Sequence, residues 1–195
     1  MDNQLLDRKL SIILATIDVI DEFGLQGFST REVAKRVGIS EPAIFRHFKS
    51  KGGLLNAVLD LFSQYDSDII LSIQVKNKNP IEAIINFIDT YAAYYENYPA
   101  ITAITQSYDI IRCDPCLSEK IQSIFFTRIN FITEMISQAQ KIGQINPNIN
   151  SQNLATVIMG LQRESCLNWR IQGYNYSLRK QILSTLEMVL QAFKV

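Results

Sequence analysis

Apolar residues recur every three or four positions along nearly the whole chain, the period of an amphipathic helix, and no strand-like alternation of any length interrupts them. Residues 5–23 place Leu6, Leu10, Ile13, Leu14, Ile17, Ile20 and Phe23 on that period, and Gly24 and Gly27 end and turn the segment. Ser29 opens a second helix with Val33, Ala34 and Val37 on its apolar face. Ser29 and Glu32 have the spacing of a capping box, in which each side chain satisfies a free amide of the first turn. Gly38 allows a turn, Ser40 caps a third helix, and Pro42 lies in its first turn, where a missing N–H costs little. Ile44 and Phe48 face inward at a spacing of four.

Ser50 caps a fourth helix with the stripe Leu54, Leu55, Val58, Leu59 and Phe62, running to about Val75 before "KNKNP" at 76–80 breaks it. A helix over 81–97 follows, stopped by Pro99, then a short helix over 100–111 and a turn at "RCDPC". The pattern predicts a long helix over 117–140, a loop at "KIGQINPNIN", a helix over 151–170 and a last one over 177–194. Repeats and low-complexity tracts are absent. The expected architecture is all-α. Residues 1–53 form a first domain of three short helices, and residues 54–195 a second helical domain.

Composition narrows the class. Hydrophobic residues make up 47% of 195 and charged residues 19%, a globular balance slightly rich in apolar groups, which argues for apolar surface buried against a partner chain. No apolar run approaches the length of a membrane span, and "MDNQLLDRKL" lacks the apolar core of a secretory signal. Three cysteines, an odd number, argue against a disulfide scaffold, and the expected location is cytoplasmic. Net charge is zero, so any affinity for nucleic acid must be local. Residues 31–51 carry six basic side chains against Glu32 and Glu41, a net +4, whereas residues 64–195 hold eleven of each sign.

That charge lies on "FSTREVAKRVGISEPAIFRHFKSK", residues 28–51. Two short helices, a glycine turn and the small Ala34 in the first helix fit a helix-turn-helix, whose second helix enters the major groove N-terminal end first. Ser40, Glu41, Pro42, Ala43, Phe45, Arg46 and His47 are the candidates for the DNA face, flanked by Thr30, Arg31, Lys49 and Lys51. Arg46 suits a bidentate contact with guanine. Glu41 accepts from a cytosine amine or steadies the helix start, and Pro42 and Ala43 suit a thymine methyl. Thr30, Lys49 and Lys51 suit phosphates, which position rather than specify. For Lys35 and Arg36 a merely solvated face is an equal alternative.

The pieces "FSTREVAKRVGIS", "AIFRHFKSK" and "LLNAVLD" resemble the N-terminal region of the tetracycline-repressor (TetR) family of bacterial regulators. The likeness covers roughly residues 10–60; beyond it only the helical layout and length match. It implies a long fourth helix leading to a ligand-binding, dimerising body. Thr30 resembles the hydroxyl residue that opens the family's second helix, His47 and Phe48 its closing aromatic pair, and Lys51 the lysine of its Ser-Lys step. Phe45 stands where the family usually has tyrosine, and Gly52-Gly53 where it usually has an acidic pair; the latter departure implies a looser start to the fourth helix.

The resemblance also implies partners: double-stranded DNA with a palindromic operator, a second copy of the chain through residues 151–170 and 177–194, and a small-molecule effector. Phe87, Tyr91, Tyr94, Tyr95, Tyr98 and Tyr108 offer apolar bulk with polar tips for a small, largely apolar ligand, although such a stripe is more often core than ligand site. Cys113 and Cys116 have the spacing of a metal or redox pair, but no second CxxC exists; an incidental loop with buried thiols is the plainer reading. His47 is the only histidine, with no carboxylate to orient it, and Asp66, Asp68, Asp109 and Asp114 read as ordinary helix-surface and loop residues. No catalytic, metal or cofactor site is expected. The function expected is a dimeric repressor released by its ligand; the alternatives are an activator, or a helical protein-interaction module that does not bind DNA.

Overall fold

The structure is a computed structural model that describes residues 2–76 and 79–195, with side chains from residue 8 onward. Leu6 and residues 77–78 of the expected break therefore lie outside the described side chains. Ten helices are seen among the described residues: α1 Asp2–Gly27, α2 Thr30–Val37, α3 Glu41–Phe48, α4 Lys51–Val75, α5 Pro80–Asn97, α6 Ile101–Gln106, α7 Tyr108–Ile111, α8 Pro115–Lys141, α9 Ser151–Ile171 and α10 Leu178–Ala192. No strand occurs among them, only an isolated bridge between Ile145 and Lys194. The all-α expectation holds.

Two boundaries differ from expectation. The segment 100–111 is split at Ser107 into α6 and α7, and α8 begins at Pro115, two residues early, because proline is tolerated in a first turn. Gly24, at φ 69° and ψ 169°, breaks α1 from within.

The chain divides into two compact units, residues 1–64 with 99–123, and residues 65–98 with 124–195. In the first unit α1 packs against both α2 and α6. Two neighbours demand a broad buried face, and Ile12, Ala15, Thr16, Ile17, Val19 and Ile20 supply it. The narrow stripe expected there is corrected: Leu10, Leu14 and Phe23 are 43%, 37% and 47% exposed. In the second unit α10 packs against α5 and α9, with Ile84, Ile88, Ile158, Leu178, Ile182 and Leu186 buried.

Candidate nucleic-acid interface

The first unit builds the helix pair from local rules. Ser29 has extended backbone and its Oγ accepts from the Glu32 amide at 3.4 Å, so one half of the capping box forms. The other half does not: the Glu32 carboxylate lies 3.7 Å from Lys35 Nζ instead. Gly38 adopts the left-handed conformation at φ 71°, Ile39 donates to the Ala34 carbonyl at 3.0 Å and Gly38 to that of Lys35 at 3.3 Å. This is the Schellman arrangement, in which a glycine absorbs the backbone turn at no steric cost. Ser40 has the backbone of a cap but its hydroxyl makes no capping bond, so that expectation is corrected; Pro42 sits in the first turn as expected.

The pair is clasped by a contact between two of the candidate residues. Thr30 Oγ1, at the start of α2, donates to Glu41 Oε1, at the start of α3, over 2.5 Å. Thr30 is buried, so this bond satisfies a hydroxyl that would otherwise be stranded. It also holds a carboxylate at two helix N-termini, where partial positive charge favours it. Ile44 and Phe48 turn inward, and Ala34 is buried as the close packing of α2 on α3 requires.

What α3 shows outward is Ser40, Pro42, Phe45, Arg46 and Lys49, with Ala43 and His47 half-buried. Arg46 and Lys49, together with Arg31 on α2, are exposed and form no ion pair among the described residues. Arg36 is different: it is paired with Glu22 of α1, which raises its pKa. Lys51 is partly committed. Its Nζ donates to the Phe28 carbonyl at 2.7 Å and lies 4.7 Å from the centre of the Phe28 ring, which ties the start of α4 to the start of α2. Lys49 takes the positive φ of 63° that ends α3, a conformation rare for a residue with a Cβ.

Ser50 caps α4 as expected, its Oγ accepting from the Gly53 amide at 2.9 Å. The two glycines differ in kind. A Cβ on Gly53 would come 2.1 Å from the Phe48 carbonyl oxygen, so the close approach of α4 to the end of α3 needs glycine there. A Cβ on Gly52 would meet only Ser50 Oγ, at 3.9 Å.

The second unit holds five of the six aromatic candidates. Phe87, Tyr91 and Tyr95 are buried, and Tyr94 and Tyr98 half-buried. Phe87 stacks within 4.9 Å of both Tyr91 and Phe131, and Tyr94 lies 4.3 Å from the Tyr65 ring. Tyr108 belongs to the first unit, where it meets Phe62 edge-on at 6.4 Å.

Beside these rings lies a group that the sequence pattern did not reveal. Asp66, expected on the surface, is 1% exposed, and Arg128 6%. Arg128 Nε and Nη2 fork onto the two Asp66 carboxylate oxygens at 2.8 and 2.9 Å. The Tyr91 hydroxyl donates to the same carboxylate, and the Arg128 guanidinium lies 4.6 Å from the Tyr91 ring centre. Burial, opposed by Arg128 and reinforced by Asp66, drives the Tyr91 pKa far above the usual phenol value. The signal was available: Asp66 falls on the inward period of Phe62, Ile69 and Ile73, and Arg128 on that of Ile124 and Ile132. A charged residue at core spacing needs a buried partner.

Cys113 and Cys116 are exposed, which corrects the expectation of buried thiols there; Cys166 is buried, and burial pushes its thiol up to about 12. Among the described residues no group of three or more metal-ligating side chains is assembled. Nor is any helix among them long and apolar enough to cross a membrane.

Residues 12–58 match the model of bacterial regulatory proteins of the tetR family, and residues 63–192 match that of the YsiA-like protein C-terminal region. The chain is 27% identical over 165 residues to the nucleoid occlusion factor SlmA of Vibrio campbellii, covering 83% of each. Its fold is similar to the transcriptional regulator FadR from Bacillus subtilis, solved with stearoyl-CoA, at a TM-score of 0.80 and 20% identity, covering 93% of this chain and 97% of that one. It is likewise similar to the ketosteroid transcriptional regulator KstR2 of Mycobacterium tuberculosis, at a TM-score of 0.83 and 18% identity, covering 96% and 95%. With its helix-turn-helix geometry and both halves matched in order, the chain belongs to the TetR family of bacterial transcriptional regulators.

Proposed function

We propose that the chain is a dimeric, sequence-specific DNA-binding repressor, working in the cytoplasm, whose DNA affinity falls when a small, largely apolar ligand binds. The observation that carries this reading is the outward face of α3, where Arg46 and Lys49 stand exposed and without an ion-pair partner among the described residues. In this reading residues 1–53 bind DNA and residues 54–195 bind ligand and partner. Arg46 reads a base edge, while Arg31, Lys49 and the remaining Lys51 donors hold phosphates. Thr30 and Glu41, committed to each other, orient the two helices instead of reading sequence.

The effector reading rests on Phe87, Tyr91, Tyr94, Tyr95 and Tyr98, all in one unit, and is supported by the stearoyl-CoA in the FadR structure, whose acyl chain is apolar. α4 is one continuous helix with Lys51 at its start and Asp66 past its middle, so a ligand that disturbs the Asp66 network acts on the helix that leads from the DNA-binding segment. The effect requires different ligand affinities for the DNA-competent and incompetent forms.

Selection of bound sites from a random duplex pool, followed by titration at several salt concentrations, tests the function. The expected result is a palindromic consensus and a steep loss of affinity with salt, roughly one unit of log–log slope per phosphate contact. Absence of binding, or a flat salt response, would replace this reading with a helical protein-interaction module.

A further inference from the structure

We propose that the second unit carries a small-molecule site separate from its aromatic cluster: an apolar slot between α5 and α10 that takes an amphipathic organic cation bearing N–H donors. The slot measures about 500 Å³, within the size of small-ligand cavities, and shares no residue with the Phe87–Tyr98 group. Its floor is Ile81 and Ile85 from α5 and Leu183, Leu186 and Leu190 from α10. Ile85 is left 39% exposed, an uncovered apolar side chain on the slot wall. Next to the lining residues Gln144 and Lys194 the main-chain bonds are already made: the Asn146 amide donates to the Phe193 carbonyl at 2.9 Å, beside the Ile145–Lys194 bridge.

The polar groups of the slot are biased toward acceptors. Glu82, in the first turn of α5, forms no ion pair among the described residues, and a carboxylate is favoured at that helix end. Glu187 accepts from Gln191 of its own helix at 3.3 Å. Gln144 Oε1 is buried with no donor in reach, a costly state that a ligand N–H would relieve. Among the described residues of the lining, Lys194 is the one cation. Two carboxylates and an unsatisfied carbonyl over an apolar floor select a hydrophobic tail with a protonated amine head. An anionic head would have Lys194 as a counter-charge but would meet both carboxylates and leave the Gln144 carbonyl unsatisfied.

The test is calorimetric titration of the full chain, without DNA, with decylammonium, decyltrimethylammonium and decanoate below their micelle concentrations. Decylammonium is expected to bind tightest, decyltrimethylammonium more weakly for want of an N–H, and decanoate at least tenfold more weakly. The double variant E82Q/E187Q should weaken decylammonium about tenfold, as two partly screened ion pairs would. Leu183→Trp, which fills the slot from its half-buried wall, should abolish binding while leaving the thermal midpoint within a few degrees. Equal or tighter binding of decanoate, unchanged binding by L183W, or no binding of decylammonium at all would each overturn the proposal. A folded E82Q/E187Q protein with unaltered affinity would do so too, and it keeps the question decidable if L183W fails to fold.

Discussion

Single positions at the junction of α3 and α4 set both stability and grip. Gly52 and Gly53 look alike in sequence, and both read as a loosened helix start, yet they carry opposite expectations. Gly52→Ala places its Cβ in ordinary contact with Ser50 Oγ and removes a flexible residue from a helix, so it should stabilise by about 0.5–1 kcal/mol. Gly53→Ala drives a methyl into the Phe48 carbonyl and should destabilise by about 1–3 kcal/mol. Urea midpoints of the two variants decide it; similar shifts in one direction would refute the close approach at Gly53. Lys49 joins strain to function. Its positive φ costs on the order of 1 kcal/mol, which Lys49→Gly should recover. The same variant should bind DNA more weakly, with a salt slope shallower by about one unit, the share of a single neutralised phosphate. A variant that gains stability and keeps its full slope would take Lys49 off the phosphate backbone.

At the scale of elements, the energetic centre of the second unit is the ion pair by which α4 and α8 meet α5. Arg128→Met strands the Asp66 charge in the interior and should cost about 3–5 kcal/mol. Adding Asp66→Asn removes that charge while its side-chain oxygen still accepts from Tyr91, so the double variant should recover a substantial part of the loss. Chemical denaturation of the parent, both single variants and the double variant checks it; additive losses would mean that the two side chains do not act as a pair. This network marks where spacing alone is not decisive: Asp66 and Arg128 each fall on a core period, but nothing in the sequence pairs them. Helix positions, the glycine turn and the outward set of α3 were legible because they follow from period, caps and turn chemistry. Asp66 and Leu14 were misplaced because a stripe tells which face is apolar but not which of its positions the neighbouring helices cover. The α1 face widened because α2 and α6 both pack on it, and Asp66 went inside because Arg128, 62 residues away in sequence, was there to meet it.

For the whole molecule, the surface that remains after folding argues for a second copy. On α9, Val157, Leu167 and Ile171 are 48%, 36% and 76% exposed, and on α10 Met188 is 64% exposed. Val157, Leu161, Glu164, Leu167 and Ile171 recur at spacings of four and three, the seam of a helix that packs on another helix. The inward positions Leu154, Ile158, Cys166 and Trp169 already serve the core, so the stripe is not needed to close the subunit. Scattered apolar residues on a surface mean little, but exposed apolar side chains aligned on one face of α9, interrupted by Glu164 and accompanied by Met188 on α10, are what packing against a second copy would bury. Placing charge on it, as Val157→Glu with Ile171→Glu, should leave the fold intact because these side chains are 48% and 76% exposed, and should yield monomers by sedimentation at concentrations where the proposed dimer of the parent forms. Those monomers should also lose affinity for a palindromic duplex far more than for a single half-site, since each copy then binds without the other. Full-strength binding to the palindrome by a monomeric variant would show that one recognition helix suffices and that the exposed stripe serves some other contact.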